Sequence, residues 1–231
     1  MSKRKLFLLA FAFSVCASTM MWGYPGSVEA KDGAMKSGQG IVILDPAIKE
    51  ALKATGASYE ELLQWSSNSS SVLRFLHGMK PRGQKELALL ARYIKEQNSR
   101  LSAETAWREA AAFVHYCNKY DVPVDLAVAV ANAESHFNPK AKSRQGALGV
   151  MQVMWRFHRD LMQANGILSP QELCDPEKGI AAGCLLLSRH LREKGSVEGA
   201  LASYLGMASG AYQRRVSRNM SKLANYRKTK S

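Results

Sequence analysis

A mainly α-helical fold is predicted by three features of this 231-residue sequence. Apolar residues recur at helical spacing in several stretches, which open on Ser or Asp and stop at Gly or a loop. One stretch, Asp125 to Glu134, is almost wholly apolar, so its helix must be surrounded by protein. Only the short run Ile41 to Leu44 reads as a strand or packed extension.

The elements follow in order. Pro46 to Thr55 reads as a helix with Asp45 as N-cap, Pro46 in the first turn and Gly56 as stop, because these residues suit unpaired backbone groups at helix ends. Ser58 caps a second helix to about Trp65, and Ser66 to Ser71 reads as loop. From Gln84 to Gln97, Leu87, Leu90, Ala91 and Ile94 share one face. Ser102 caps a longer helix to about Tyr120 with an apolar stripe at Trp107, Ala111, Val114 and Cys117. The chain breaks at Asp121-Val122-Pro123 before the buried helix ending at Glu134. From Phe137 to about Val150 the pattern loosens around Gly146 and Gly149. Asp175-Pro176 opens a helix to Lys194, stopped by Gly195, and two more follow, Val197 to Leu205 and Ala211 to Tyr226, before a basic tail.

The N-terminus has a basic start, an apolar run from Leu6 to Val15 and small residues at Val28-Glu29-Ala30. These are the parts of a secretory signal peptide at residues 1–30, cleaved after Ala30, with Ala17 as the weaker alternative. The apolar run is short against the roughly 20 residues of a membrane span, which leaves an anchor as the other reading. Residues 31–100 read as a linker and small helical region of unknown role, and 101–231 as the functional domain.

With 32 Lys+Arg against 19 Asp+Glu the formal charge is +13, and loss of residues 1–30 leaves +11. An exported cation suits an anionic polymer of the cell envelope and peripheral contact with anionic envelope surfaces, and export sets nucleic acid aside. Cys117, Cys174 and Cys184 then remain; Cys174 with Cys184 is the favoured pair, with buried free thiols as the alternative. His136, His158, Cys174, Cys184 and His190 match no common metal-ligand spacing, and no nucleotide or phosphate-binding motif is present, so no cofactor is expected.

Glu134 is the anomaly. It ends a buried apolar helix, where burial disfavours the carboxylate and raises its pKa, the condition a general acid requires. No acidic residue follows before Asp160, while Lys140, Lys142, Arg144, Arg156 and Arg159 carry positive charge. A two-carboxylate glycosidase needs its second acid roughly 5–10 Å from the first. A single-carboxylate site in which the substrate assists is the better reading, with a distant acid folding back as the alternative.

Glu134-Ser135-His136-Phe137-Asn138-Pro139, then Ser143, Gly146-Ala147, Gly149 and Met151-Gln152-Val153-Met154, resembles the signature of the lytic transglycosylases, lysozyme-like enzymes that cleave bacterial peptidoglycan. The Asp175-Pro176 helix and Ala200-Leu201-Ala202-Ser203-Tyr204 add to the resemblance, which covers about residues 100–220. It implies a lysozyme-like helical domain with a groove for a peptidoglycan glycan strand. One Glu protonates the oxygen between N-acetylmuramic acid and N-acetylglucosamine, the acetamido group stabilises the cationic carbon, and the carboxylate then deprotonates the C6 hydroxyl to give a 1,6-anhydro sugar. By position Glu134 is that acid and base, Ser135 props it, and Ser143, Gln152 and Met154 match sugar-contacting or groove-lining positions. Met151 is a groove wall or ordinary core. Gly146 and Gly149 let the backbone turn and approach the sugar. Tyr204 matches a tyrosine whose hydroxyl lies near the Glu. Trp155 and Phe157 stand where the family has Pro and Thr, and Leu205 where it has Asn. A lysozyme-like hydrolase and an inactive cationic wall-binding module are the alternative functions.

Overall fold

The computed structural model describes residues 44–230, and the signal-peptide, leader and Ile41–Ile43 expectations lie outside them. The described chain is helical as expected: α1 Pro46–Thr55, α2 Tyr59–Ser67, α3 Pro81–Gln97, α4 Ala103–Tyr120, α5 Val124–Ser135, α6 Trp155–Ala164, α7 Pro176–Lys194, α8 Val197–Leu205 and α9 Gly210–Lys230. Short 3₁₀ segments at Val72–Gly78 and Pro170–Cys174 join them, and the described residues hold only isolated β-bridges at Lys142, Leu148 and Val153.

The caps act where the sequence places them. Asp45 accepts from the Ala47 amide, and Gly56 turns left-handed at φ 73° to end α1. Ser58 and Glu61 form a reciprocal capping box on α2, and Asp175 accepts from the Glu177 and Lys178 amides at the head of α7. Beyond the earlier start of α3, at Pro81 where Gln84 was expected, two bounds differ from expectation. The first residues of the expected Ser66–Ser71 loop belong to α2, and the basic tail continues α9 to Lys230. Arg227 explains the second difference, because it pairs with Glu86 at 2.7 Å and Asp125 at 2.6 Å and ties the end of α9 to α3 and α5.

At the centre lies α5, whose residues Leu126 to Ala133 are all buried. It packs against α4, α7 and α9, and α4 is in turn covered by α3 and α7. One core cluster runs from Ile48 of α1 through Trp107 and Phe113 of α4 to Val216 and Leu223 of α9. The Trp107 indole donates to the Thr55 hydroxyl at 3.0 Å, fixing α1 to α4. Further on, Ser71 and the Val72 amide both donate to the Glu177 carboxylate, at 2.5 and 2.9 Å. Arg108 bridges Glu177 and Asp175 at 2.9 and 2.7 Å. This buried polar knot holds residues 71–72 onto the start of α7. A second apolar cluster, including Val153, Met162, Leu173 and Leu186, lies beneath α6.

The cysteine expectation is corrected. All three described cysteines are free, and the thiol facing Cys184 is Cys117, with sulfurs 3.8 Å apart. Cys184 lies on the side of α7 that meets α4, while Cys174 ends the preceding 3₁₀ segment.

Candidate active site

Glu134 is the penultimate residue of α5. The helix stops there because His136 and Phe137 both take left-handed backbone angles, φ 51° and 61°. Phe137 makes that costly turn tolerable. Its fully buried ring meets Tyr93 and Phe113 edge-on, at 6.3 and 6.4 Å between centroids, and Asn98 donates to the His136 carbonyl at 2.9 Å. The end of α5 is thus anchored on α3 and α4.

On its other side Glu134 meets α9. The Tyr212 hydroxyl donates to Oε1 of Glu134 at 2.5 Å, and the Arg215 guanidinium lies over the Tyr212 ring at 5.4 Å. Asn219 donates to the Ala129 carbonyl at 3.2 Å and fastens the two helices together. Burial raises the Glu134 pKa above the ordinary carboxylate range, while the Tyr212 hydrogen bond and the Arg215 charge pull it back. Among the described residues, no second carboxylate acts on it. The Tyr212 hydroxyl is held in its neutral form by burial and by the adjacent Glu134, so it can only donate to a charged carboxylate.

The segment from Ala141 to Met154 forms a tight loop beside Glu134, and the expected site residues shape it. Ser135 donates to the Val150 carbonyl at 2.6 Å and accepts from the Asn138 amide at 3.0 Å, locking the loop to the end of α5. The Gln152 amide donates to the Ala141 and Gly149 carbonyls, at 3.2 and 3.0 Å. Ser143 accepts from the Ala147 amide at 3.0 Å, closing the tip. Met151 is fully buried, and its side chain lies where a Cβ on Gly183 would come within 2.3 Å of its sulfur. Gly149 has φ +77°, and a Cβ there would sit 1.9 Å from the Leu173 carbonyl oxygen. The close approach at Gly149 is therefore to the protein's own backbone.

Tyr204 donates to the Met151 carbonyl at 2.8 Å, and burial, with the nearby Glu134 charge adding to it, raises its pKa. The hydroxyl that touches Glu134 belongs instead to Tyr212, which the sequence reading left out. Its signal was available: Tyr212, Val216, Asn219 and Leu223 are the buried positions of an otherwise polar helix. Met154 and Gln152 line a groove of about 310 Å³ with Tyr204 and Leu205. Among the described residues no group of three His, Cys, Asp or Glu side chains could hold a metal ion.

The half-buried Glu134 and the loop that follows it lie within the match of a family model. The transglycosylase SLT domain model covers residues 111–227, from within α4 to near the end of α9. The chain belongs to the transglycosylase SLT domain family. Within that family it is 30% identical over 145 residues to the soluble lytic murein transglycosylase of Escherichia coli K12, covering 55% of this chain and 22% of the relative. It is 42% identical over 74 residues to the membrane-bound lytic murein transglycosylase C of Photorhabdus laumondii, covering 30% of this chain and 21% of that one. The chain thus spans about a fifth of the length of these curated relatives. Among solved structures it is similar to the 70 kDa soluble lytic transglycosylase of Escherichia coli, at 23% identity and a TM-score of 0.39, covering 80% of this chain and 36% of that one. A complex of the 70 kDa soluble lytic transglycosylase with bulgecin A aligns with a TM-score of 0.41 at 23% identity, over 82% of this chain and 32% of that one.

Proposed function

We propose that this SLT-domain protein is an exported lytic transglycosylase that cleaves the β-1,4 bond between N-acetylmuramic acid and N-acetylglucosamine of peptidoglycan. The observation that carries this reading is Glu134: a carboxyl whose burial favours the protonated form, with one oxygen on Tyr212 and no carboxylate partner. Protonated, Glu134 gives its proton to the glycosidic oxygen as the bond to the muramic carbon breaks. The carbon's positive charge is met by the sugar's own acetamido group, since no second carboxylate stands by. The Glu134 carboxylate then takes the proton of the muramic C6 hydroxyl, whose oxygen closes on the anomeric carbon to form the 1,6-anhydro ring. Water enters neither step, and Glu134 ends protonated as it began.

Tyr212 supports the second half of this cycle. Its donated hydrogen bond strengthens when Glu134 becomes anionic, so it stabilises the base form that burial opposes. With Oε1 on Tyr212, Oε2 is left for the sugar. Ser135, Gln152, Ser143 and Gly149 serve by holding the Ala141–Met154 loop in shape, while Met154 and the exposed Leu205 line the groove wall. The cationic surface suits retention on an acidic wall polymer. No described helix is long and apolar enough to cross a membrane, and the export part of the proposal rests on the composition of residues 1–30.

The test is digestion of purified peptidoglycan by the full chain and by Glu134→Gln, with mass spectrometry of the soluble products. Anhydromuropeptides from the wild-type protein alone support the reading. Reducing-end products would move the reaction to hydrolysis at the same site. Binding without release by either protein would make the chain a wall-binding module, and Leu205→Asn would then be the variant to restore cleavage.

A further inference from the structure

Among the described helices α4 and α7 share the most extensive contact, and polar bonds fix it toward both ends. Arg108 reaches Asp175 and Glu177 at 2.7 and 2.9 Å, and further along the Ser188 hydroxyl donates to the Tyr120 carbonyl at 2.6 Å. One turn before that second bond, Cys117 of α4 and Cys184 of α7 face each other with sulfurs 3.8 Å apart. Both are buried, at 1% and 0% exposure, and among the described residues neither thiol has another hydrogen-bond partner. No group of three described His, Cys, Asp or Glu side chains could hold a metal ion, so the pair is not part of a metal site. The Cys117 contact and burial hold the Cys184 thiol well above its ordinary pKa, which leaves it protonated and unreactive in the folded chain. Two cysteines serving only as apolar filler have no reason to meet. Here they meet across a helix pair whose register is set by bonds on either side. The sulfurs need only close from 3.8 Å to the roughly 2.05 Å of an S–S bond, within reach of rotation about the two Cα–Cβ bonds. Cys174 ends the neighbouring 3₁₀ segment, and no described thiol faces it.

We infer that Cys117 and Cys184 are joined as a disulfide when the chain folds after export, making a covalent staple between α4 and α7. The inference rests on the export reading of residues 1–30, because such bonds persist outside the reducing cytosol. The oxidant is the disulfide of a protein dithiol oxidase. The thiolate of one cysteine attacks that disulfide, and the second cysteine then displaces the oxidase from the mixed disulfide. One S–S bond forms in this chain, its two thiols give up two protons and two electrons, and the oxidase leaves as a dithiol. Both sulfurs are closed off once the core is packed, so the exchange precedes the docking of α7 on α4. The staple lies behind the site. Gly183, next to Cys184, packs so closely on Met151 that a Cβ would come within 2.3 Å of its sulfur, and the Met151 carbonyl accepts from Tyr204. The bond thereby braces the wall on which the Ala141–Met154 loop rests.

The experiment expresses the full chain in a bacterial host, separates envelope from cytosol, quenches with acid, blocks free thiols and maps unreduced peptides by mass spectrometry. A Cys117–Cys184 link in the envelope fraction, with Cys174 blocked as a free thiol, is expected. Blocked Cys117 and Cys184 there, or a link through Cys174, overturns the inference. Retention in the cytosol rejects the export reading instead, and the chain refolded in an oxidising glutathione mixture then decides the pairing. A Cys117–Cys184 link in that mixture keeps the cross-link site, and free thiols overturn it. Thermal unfolding tests the brace. Wild-type protein refolded with its thiols kept reduced should melt about 10 °C below the cross-linked form, the size expected for closing a loop of this length. Cys174→Ala should show the same difference and Cys117→Ala/Cys184→Ala none. A cross-linked wild type whose melting temperature does not respond to reduction overturns the bracing role.

Discussion

Tyr212→Phe removes a single oxygen and tests the claim that Glu134 must serve as base as well as acid. In the folded protein that oxygen donates to Glu134 Oε1 at 2.5 Å from a side chain only 4% exposed, so water cannot readily replace it. A hydrogen bond to a charged group contributes about 1.5–3 kcal/mol, and leaving it unmade slows the step that generates the carboxylate by roughly ten- to a hundredfold. The sign of the pH effect follows from the same contact. The Tyr212 hydrogen bond lowers a pKa that burial has raised, so its loss raises the Glu134 pKa further. The alkaline limb of the rate profile, where Glu134 loses the proton it must donate, then moves to higher pH. Stability shifts with it. Because the folded pKa lies above the unfolded one, the stability linked to Glu134 is complete below the ordinary carboxylate range and falls as pH rises through the folded pKa. Tyr212→Phe deepens that fall, so its melting-temperature deficit is small at pH 4 and larger at pH 7. The assays are release of soluble muropeptides across pH and thermal unfolding at the two pH values. An unmoved or acid-shifted limb, or equal deficits at both pH values, would refute the reasoning.

Two further substitutions probe how the site is held. Gly149→Ala forces a side chain into a left-handed turn and against the Leu173 carbonyl, at a cost of about 3 kcal/mol. The melting temperature should fall by roughly 6–12 °C, with muropeptide release falling alongside; an unchanged melting temperature would show that the turn can move aside. Glu109, fully buried in α4 with neither carboxylate oxygen partnered, has its pKa raised well above the usual range by burial. Such a group costs stability as pH rises above its unfolded pKa, so Glu109→Met should stabilise the protein by about 1–3 kcal/mol at pH 7 and by less at pH 4. Chemical denaturation at both pH values checks this, and a destabilised variant would mean that Glu109 holds a partner, such as a buried water.

What the sequence alone determined was local. Asp45, Pro46 and Gly56, Ser58, Ser102, Asp175 and Gly195 act on backbone groups within a few residues of themselves, so their pattern suffices to place α1, α2, α4 and α7. The apolar run ending in Glu134 likewise marks α5 as central, since only burial makes such a helix tolerable. Glu134 was legible for the same reason, as the one acidic group at the far end of that run. The tertiary structure decided whatever joins residues far apart in the chain. Tyr212 reaches Glu134 across 78 positions, and Ser71 reaches Glu177 across 106. Gly149 turns because the Leu173 carbonyl leaves no room for a Cβ, and Cys184 faces Cys117 because α7 lies on α4. Burial and hydrogen bonding at such points depend on which helix faces meet, and periodicity along one segment carries no record of the partner it will meet.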